Sequence, residues 1–386
     1  MATLRIGLDL LSERAGPGGI HTYVNRLLEA MLRLSANACS DERVEFAVLA
    51  HDDYPWTFPA ASHPLLRLLN TGLAGICSTR RRLIQQTLAP RMAREAGARI
   101  VHSVNNALPL ALSAPAVVTV HDLSPFELPE RFSFAKRTFL RWAVPLSIRK
   151  AARILTVSEA VKREIGRWMP DVEASRVVVT PNGVDSRFGP EGDPAVEAEL
   201  RARHALPQRF VLSVGRGEPG KNLDGARRAL ERLDERGFES PPWVIVGTSD
   251  EESAKLRHAL ERSPLRERTH VLGLVEAAQL PHLYRMAAVL LFPSLYEGFG
   301  LPVVEAMASG TPVVTSNCSS MPEVAGRAAL CVDPKNPDAI ARAVARCWES
   351  EAIRTLLRAR GLKRAREFSW DETARRTLEA YRAAAG

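Results

Sequence analysis

The chain has 386 residues, 46% hydrophobic and 25% charged, proportions of a soluble globular protein too long for one core, so two domains are expected. Its formal net charge of +8 suits nucleic acid, anionic lipid or a phosphorylated ligand and does not choose among them. Five scattered cysteines (Cys39, Cys77, Cys318, Cys331, Cys347) without C-x-x-C spacing exclude a zinc cage and fit a reducing cytoplasm. No signal-peptide layout is expected at the start, and the longest uncharged run, 101–120, is broken by Asn105, Asn106, Pro109 and Pro115, so it is no membrane span.

The first half alternates strand and helix signals, the pattern of a parallel α/β sheet. Ile6, Leu8 and Leu10 mark an opening strand, followed by Gly16-Pro-Gly-Gly-Ile20 and a helical pattern from His21 to about Leu34. The glycine cluster reads either as a flexible turn or as a place where a ligand approaches the backbone. Further strands are expected at Val44–Ala50, Arg99–Ser103 and Ala116–Val120, the last ending in His121-Asp122-Leu-Ser-Pro125. A histidine at the carboxyl end of a central strand stands where open α/β sheets place ligands, although a hydrogen bond to its neighbour explains it equally well. His102 closes its own strand. Ile154–Ser158 is another strand, with Ser158 placed to cap the following helix. Val177–Thr180 leads into Pro181-Asn-Gly-Val-Asp185, whose Asn-Gly is a turn signal, and Ser186–Pro207 reads as an interdomain linker.

A second strand–helix series begins at Phe210–Val214. It runs into Gly215-Arg-Gly-Glu-Pro-Gly-Lys-Asn222, a literal G-x-G-x-x-G, with Asp234 and Glu235 where a ribose-binding acid of a dinucleotide fold would stand. In that fold the third glycine lies within the helix, whereas here Pro219 and Gly220 precede the expected N-cap, Asn222. The nicotinamide reading therefore ranks low, and Arg216 and Lys221 suit a pyrophosphate instead. Strands follow at Trp243–Gly247, Thr269–Leu272 and Val289–Phe292. After the loop Pro293–Leu301, Pro302 suits a helix start, Gly310 its stop and Pro312–Thr315 the next strand. A strand, a glycine-rich turn and a helix N-terminus together make an anion site. Glu297 and Glu305, which frame it, would repel phosphate, so their partners are neutral hydroxyls and the ligand carries both phosphates and sugars. The last helix opens with Ser369-Trp-Asp-Glu372, the pattern of a capping box.

Glu297-Gly-Phe-Gly-Leu-Pro-Val-Val-Glu305, with a strand before it and a helix within, resembles the E-x7-E motif of retaining GT-B glycosyltransferases, specifically glycosyltransferase family 4. The likeness covers nearly the whole chain, through His121-Asp122, Pro181–Asp185, Lys221-Asn222, Met321–Gly326 and Ala328–Pro334, and is weakest over 52–97. Two positions depart from the family pattern: Gly220, where an arginine often precedes the lysine, and Arg327, where an acid is frequent. The resemblance implies α/β architecture of GT-B type, two Rossmann-like domains with parallel sheets facing across a cleft. Its parts would be an acceptor domain at 1–185, a linker at 186–207, a nucleotide-sugar domain at 208–368 and a final helix, 369–386, crossing back to the first.

It also implies roles. Lys221 and Arg216 would neutralise the donor diphosphate, Glu305 would hold the ribose, and Glu297 and His121 would contact the transferred sugar. Gly18, Gly19, Phe299, Gly300 and Leu301 would line the donor, with Gly273, Leu274 and Val275 beside its base. Transfer would proceed with retention and, since the chain has no D-x-D, without metal or other cofactor; no nucleic acid is expected as a partner. The motifs look most like bacterial mannosyltransferases using GDP-mannose on a saccharide or lipid-linked saccharide in surface glycan synthesis. UDP-glucose or UDP-N-acetylglucosamine donors, and a nucleotide-sugar 2-epimerase, stay open. The implied location is cytoplasmic, with a peripheral place on the inner face of the membrane. Two basic runs bear on that place: Arg80-Arg81-Arg82, and Lys136, Arg137, Arg141, Arg149 and Lys150 with Phe139, Trp142 and Leu146. They read first as solvated faces, and alternatively as a patch for anionic lipid.

Overall fold

The computed structural model describes residues 2–13, 18–37, 42–58, 63–75 and 78–386. Gly16 of the first glycine cluster, Cys39 and Cys77 lie outside them. The chain divides into two compact units, Met1–Gly183 with Ser369–Gly386, and Val184–Phe368.

The first unit holds a seven-stranded sheet made of β1 (Ala2–Asp9), β2 (Glu42–Ala50), β3 (Leu66–Asn70), β4 (Ile100–Ser103), β5 (Ala116–Val120), β6 (Arg153–Thr156) and β7 (Val177–Val179). Their order is β3-β2-β1-β4-β5-β6-β7, and every pair is parallel. The central strands are continuous apolar runs because both faces are covered; all five residues of β5 are buried. β3 lies at the edge, half exposed, with Arg67 interrupting its apolar residues, which is why no strand was legible there. The order reverses between β1 and β4, the topological switch point where open α/β sheets take ligands.

The helix Trp370–Ala385 belongs to this unit and packs on the helix Gly19–Ala36. Tyr381 fixes it by a 2.6 Å hydrogen bond to Nδ1 of buried His102. Its start differs from the expected capping box. Ser369 Oγ accepts the N–H of Asp371 at 3.2 Å, while Glu372 turns outward to Arg375 and Arg376, whose two guanidinium groups outcompete one backbone N–H. Gly183 likewise makes no turn. Its reason is close approach: a Cβ there would stand 2.2 Å from the backbone nitrogen of Trp370.

The second unit carries β8 (Val211–Val214), β9 (Trp243–Val246), β10 (Thr269–Gly273), β11 (Val289–Phe292), β12 (Val313–Ser316) and β13 (Ala329–Val332). The order is β10-β9-β8-β11-β12-β13, again parallel throughout, and it reverses between β8 and β11. One face is sealed by the helices Leu223–Glu235 and Pro337–Glu349, whose Leu230, Ile340 and Val344 pack on Val211, Ile245 and Leu291. Within 186–207 stands a helix, Pro194–Arg203, capped by Asp193. Its Glu197 meets Arg285 of the helix Leu280–Met286 at 2.9 Å. Among the described residues no helix is long and apolar enough to cross a membrane.

Candidate active site

The site in the second unit grows out of its switch point. The loop after β8 presents Lys221, the loop after β11 presents Glu297, and the two side chains meet at 2.7 Å. Gly220 O accepts the N–H of Leu295 at 2.8 Å, so the backbones of the two loops are joined as well. Lys221 Nζ also lies 5.1 Å from the centroid of the Phe292 ring, a cation–π contact that confines the ammonium. An ion pair at the edge of solvent contributes at most about 1 kcal/mol to folding. What it achieves here is position: a cation and a carboxylate held side by side where the strand ends open.

Asn222 locks this corner. Its left-handed backbone (φ 56°) ends the loop and caps the helix Leu223–Glu235 through Oδ1, while Nδ2 donates to Pro293 O at 3.0 Å and Pro334 O at 2.8 Å. One amide thus ties the loops after β8, β11 and β13. Ser320 Oγ lies 2.9 Å from both Glu297 O and Phe299 O, and the Glu297 N–H donates to Ser319 Oγ, so the stretch before the next helix is strapped from below.

That helix, Leu301–Ala308, starts one residue earlier than Pro302 suggested. Gly300 is its N-cap with φ 103°, and a Cβ there would meet Met321 Cε at 2.3 Å. With no side-chain cap at this end, the first N–H groups carry their partial positive charge toward the loop. Glu305, within the helix, accepts a 2.9 Å hydrogen bond from the Tyr284 hydroxyl. Burial pushes its carboxyl up to about 7, opposed by that bond and by Arg187, and reinforced by Asp185. Tyr284 is fully buried against Phe188. Nothing in the local sequence marks Tyr284 as a partner of Glu305, since the two meet across 21 positions.

The remaining sequence-derived residues fall as follows. Arg216 is exposed, and its charge acts on Glu252. Burial raises the Glu252 carboxyl, but the N–H groups of Ser249 and Gly217, with Arg216, bring it below the usual range. Phe299 is buried with its ring edge-on to Phe368, while Leu301 is half-buried as the first helical residue. Gly273 (φ 74°) accepts the N–H of Gly247 at 2.7 Å and turns the chain into exposed Leu274 and half-buried Val275. Asp234 is not available to a ribose: it accepts from Ser240 and pairs with Arg268 at 3.0 Å.

Gly18, Gly19 and His121 belong to the first unit. Gly18 is the N-cap of the helix Gly19–Ala36. His121 Nε2 donates to Val104 O at 2.7 Å, which leaves Nδ1 as the acceptor nitrogen, and its ring meets Tyr23 edge-on at 4.7 Å. Burial holds its pKa below the usual value, so the imidazole is neutral. No group of three or more metal-ligating side chains occurs among the described residues.

The family described as Glycosyl transferases group 1 matches residues 196–367, and Glycosyltransferase Family 4 matches 17–188. The O-antigen chain mannosyltransferase B of Escherichia coli is 35% identical over 73% of this chain and 74% of its own length. A serotype-specific mannosyltransferase WbdA of the same species is 28% identical over 69% of the chain, which spans only 33% of that longer protein. Among solved structures, the sucrose-phosphate synthase of Thermosynechococcus elongatus superposes with a TM-score of 0.76 over 98% of both chains at 21% identity, a likeness of fold. The chain belongs to glycosyltransferase family 4, has the GT-B fold and is similar to the bacterial mannosyltransferases of that family.

Proposed function

We propose that this glycosyltransferase moves mannose from GDP-mannose, with retention and without a metal, to a saccharide or lipid-linked saccharide in surface glycan synthesis. The observation that carries this reading is the 2.7 Å pair of Lys221 and Glu297 at the switch point, beside the uncapped helix N-terminus after Gly300. As the glycosidic bond breaks, negative charge collects on the departing diphosphate. Lys221, the helix N-terminus and Arg216 meet that charge with groups already in place, so little reorganisation is required in the transition state. Glu297 faces the opposite charge, the positive character at the anomeric carbon, and holds the sugar hydroxyls. Glu305, oriented by Tyr284, receives the ribose hydroxyls. His121, neutral with Nδ1 as acceptor, takes a sugar hydroxyl without repelling the electron-poor sugar. Among the described residues no side chain stands out as a covalent nucleophile, which favours attack on the same face as departure.

The donor assignment rests on similarity to the mannosyltransferases, and a UDP-hexose remains the competing donor. A thermal-shift panel distinguishes them: stabilisation by GDP and GDP-mannose above the UDP forms is expected. Turnover should survive EDTA; complete loss restored by manganese would refute metal independence. A 2-epimerase would instead release sugar and nucleotide with no acceptor present.

The first unit also supports a peripheral place on an anionic membrane. On the helix Phe134–Lys150, Phe134 is 74% exposed and Trp142 59%, and Leu83 on the helix Ser78–Glu95 is 65% exposed. Arg137 lies over Phe134, and Arg82 over Phe139. Exposed aromatics interleaved with cations fit the headgroup region better than bulk water. Of the run at 80–82, Arg81 does not contribute: it is buried and paired with Asp53. Flotation with phosphatidylglycerol vesicles should fall with salt and in Phe134→Ser/Trp142→Ser, whereas binding equal on neutral vesicles would remove the electrostatic part.

A further inference from the structure

The histidine assigned to the sugar is held by a residue that no motif marks. The ladder between β4 and β5 ends at Ser103 and Val118, yet β5 runs on to Val120 and into His121. Past that point Asn106, in the loop after β4, continues the pairing with three bonds. Its N–H donates to Thr119 O at 2.9 Å, its Oδ1 accepts the His121 N–H at 2.9 Å, and its Nδ2 donates to Asp122 O at 3.1 Å. A side-chain amide has the donor and the acceptor of a peptide group, so it stands in for the strand residue that β4 no longer provides. The backbone is thereby fixed on both sides of His121.

The ring is fixed as well. Nε2 donates to the carbonyl of Val104, two residues before Asn106, so the loop that grips the backbone of His121 also sets its tautomer. Asn105 Nδ2 donates to Glu13 Oε1 at 2.7 Å and ties that loop to the one after β1. Behind the ring stands edge-on Tyr23, backed by a bonded chain: its hydroxyl lies 2.9 Å from Thr119 Oγ1, which lies 2.8 Å from His102 Nε2, whose Nδ1 meets the Tyr381 hydroxyl. All four of these residues are fully buried. Asp122 is committed elsewhere, since its Oδ1 accepts the N–H and the hydroxyl of Ser124 at 2.8 and 2.5 Å. With Nε2 taken and the back closed, Nδ1 is the ring nitrogen that remains, and its direction follows from how the strand end is seated.

We infer that Asn106 is a positioning residue for the transfer, acting through His121: by seating the end of β5 it aims Nδ1 of that ring. This rests on the reading above, in which His121 takes a hydroxyl of the transferred sugar, and it adds a residue that need touch no ligand itself. Without the Asn106 amide the strand end is free to swing, and the Nε2 bond to Val104 goes with it. The effect falls on the sugar rather than the nucleotide, because Lys221 and Glu305 stand on the other unit and make no contact with Asn106.

Long-range proton–nitrogen NMR of the imidazole rings, on the full chain, reads the first step. His121, assigned by its loss in His121→Ala, should show one Nε2–H tautomer in the wild type and a second set of ring signals in Asn106→Ala. Asn106→Leu keeps the volume but makes neither side-chain bond; it should show the same and serves if the alanine variant does not fold. Asn106→Asp keeps an acceptor for the His121 N–H and should restore the single tautomer. Calorimetric titration reads the second step. Asn106→Ala should weaken the nucleotide sugar, GDP-mannose or UDP-glucose, by about threefold to tenfold, and add no further loss in the His121→Ala background. The matching diphosphate, GDP or UDP, should bind as before. Wild-type ring signals in both Asn106→Ala and Asn106→Leu overturn the inference, as do equal losses for nucleotide sugar and diphosphate or losses additive with His121→Ala. If His121→Ala binds nucleotide sugar as the wild type does while the second ring signals still appear in Asn106→Ala, the sugar contact falls and Asn106 stands as the residue that orients the ring.

Discussion

The two switch points are built alike and furnished differently. Each joins the loop after the first strand of its unit to the loop after the strand where the order reverses, and each does so with one carboxylate held at 2.7 Å. In the second unit the carboxylate, Glu297, faces an ammonium and a helix N-terminus. In the first, Glu13 faces a neutral amide. The same strand order thus sets a carboxylate beside a cation in one unit and beside a neutral amide in the other. The fold supplies the crevice; two or three side chains at its mouth decide the ligand.

Removing the charge on one side should be the most damaging change. Lys221→Ala is expected to lower kcat/KM by roughly 10²–10³, the range for losing one preorganised donor to a developing anion. Arg216→Ala, at an exposed position, should cost about tenfold in the same assay. Equal losses would mean the cationic work is shared, and the contrast between the two side chains would go.

Backbone fit comes next. Gly183→Ala would press a methyl group against the backbone of Trp370, and Gly300→Ala against the tip of the Met321 side chain at a positive φ. Both should lose about 2–3 kcal/mol or more in urea unfolding. Gly183→Ala should be the worse, because a peptide cannot swing aside as a thioether can. The reverse order would show the left-handed conformation at Gly300 to outweigh the clash.

Both carboxyls pushed to about 7, Glu13 and Glu305, make stability depend on pH. Their folded-state pKa lies above the ordinary carboxyl value of 4.5, so the native state holds more protons than the unfolded chain between the two values. The stability this contributes is present below 4.5 and lost as pH rises through 7. Wild-type urea midpoints should therefore decline from about pH 5 to pH 8. Glu13→Gln and Glu305→Gln should each flatten part of the decline; a decline untouched by either would place the titration elsewhere. Donor affinity should run the other way, strengthening as Glu305 ionises. Tyr284→Phe removes a bond that lowers this pKa, so it should move that limb upward and raise the donor KM about threefold to tenfold. The smallest effect is expected for Asp234→Asn: activity unchanged and stability slightly reduced, since its partners are Ser240 and Arg268. A large loss of nucleotide affinity there would reopen the dinucleotide reading.

Much of this is legible in the amino-acid order alone. Strand positions in both units follow from short apolar runs bounded by glycine and proline, and β5 and β11 fall at the residues their runs mark. The E-x7-E string was legible because its spacing depends on a local strand–loop–helix, and local geometry is written in consecutive residues. β3 was not, because an edge strand needs no continuous apolar run. The capping box failed for a related reason: Glu372 had nearby guanidinium groups that the S-x-x-E pattern does not weigh.

By itself, then, the amino-acid order determined two parallel α/β units, the family, and the cationic and acidic residues of the loops after β8 and β11, since periodicity, turn chemistry and short motifs are properties of neighbours in the chain. Only the tertiary structure decided that Lys221 pairs with Glu297, that Tyr284 steers Glu305, that Asn222 ties three loops, and that Asn105 pairs with Glu13. These contacts join residues tens of positions apart. Their partners are chosen by the order in which strands lie down in the sheet, and that order is set by packing over the whole unit rather than by any one stretch.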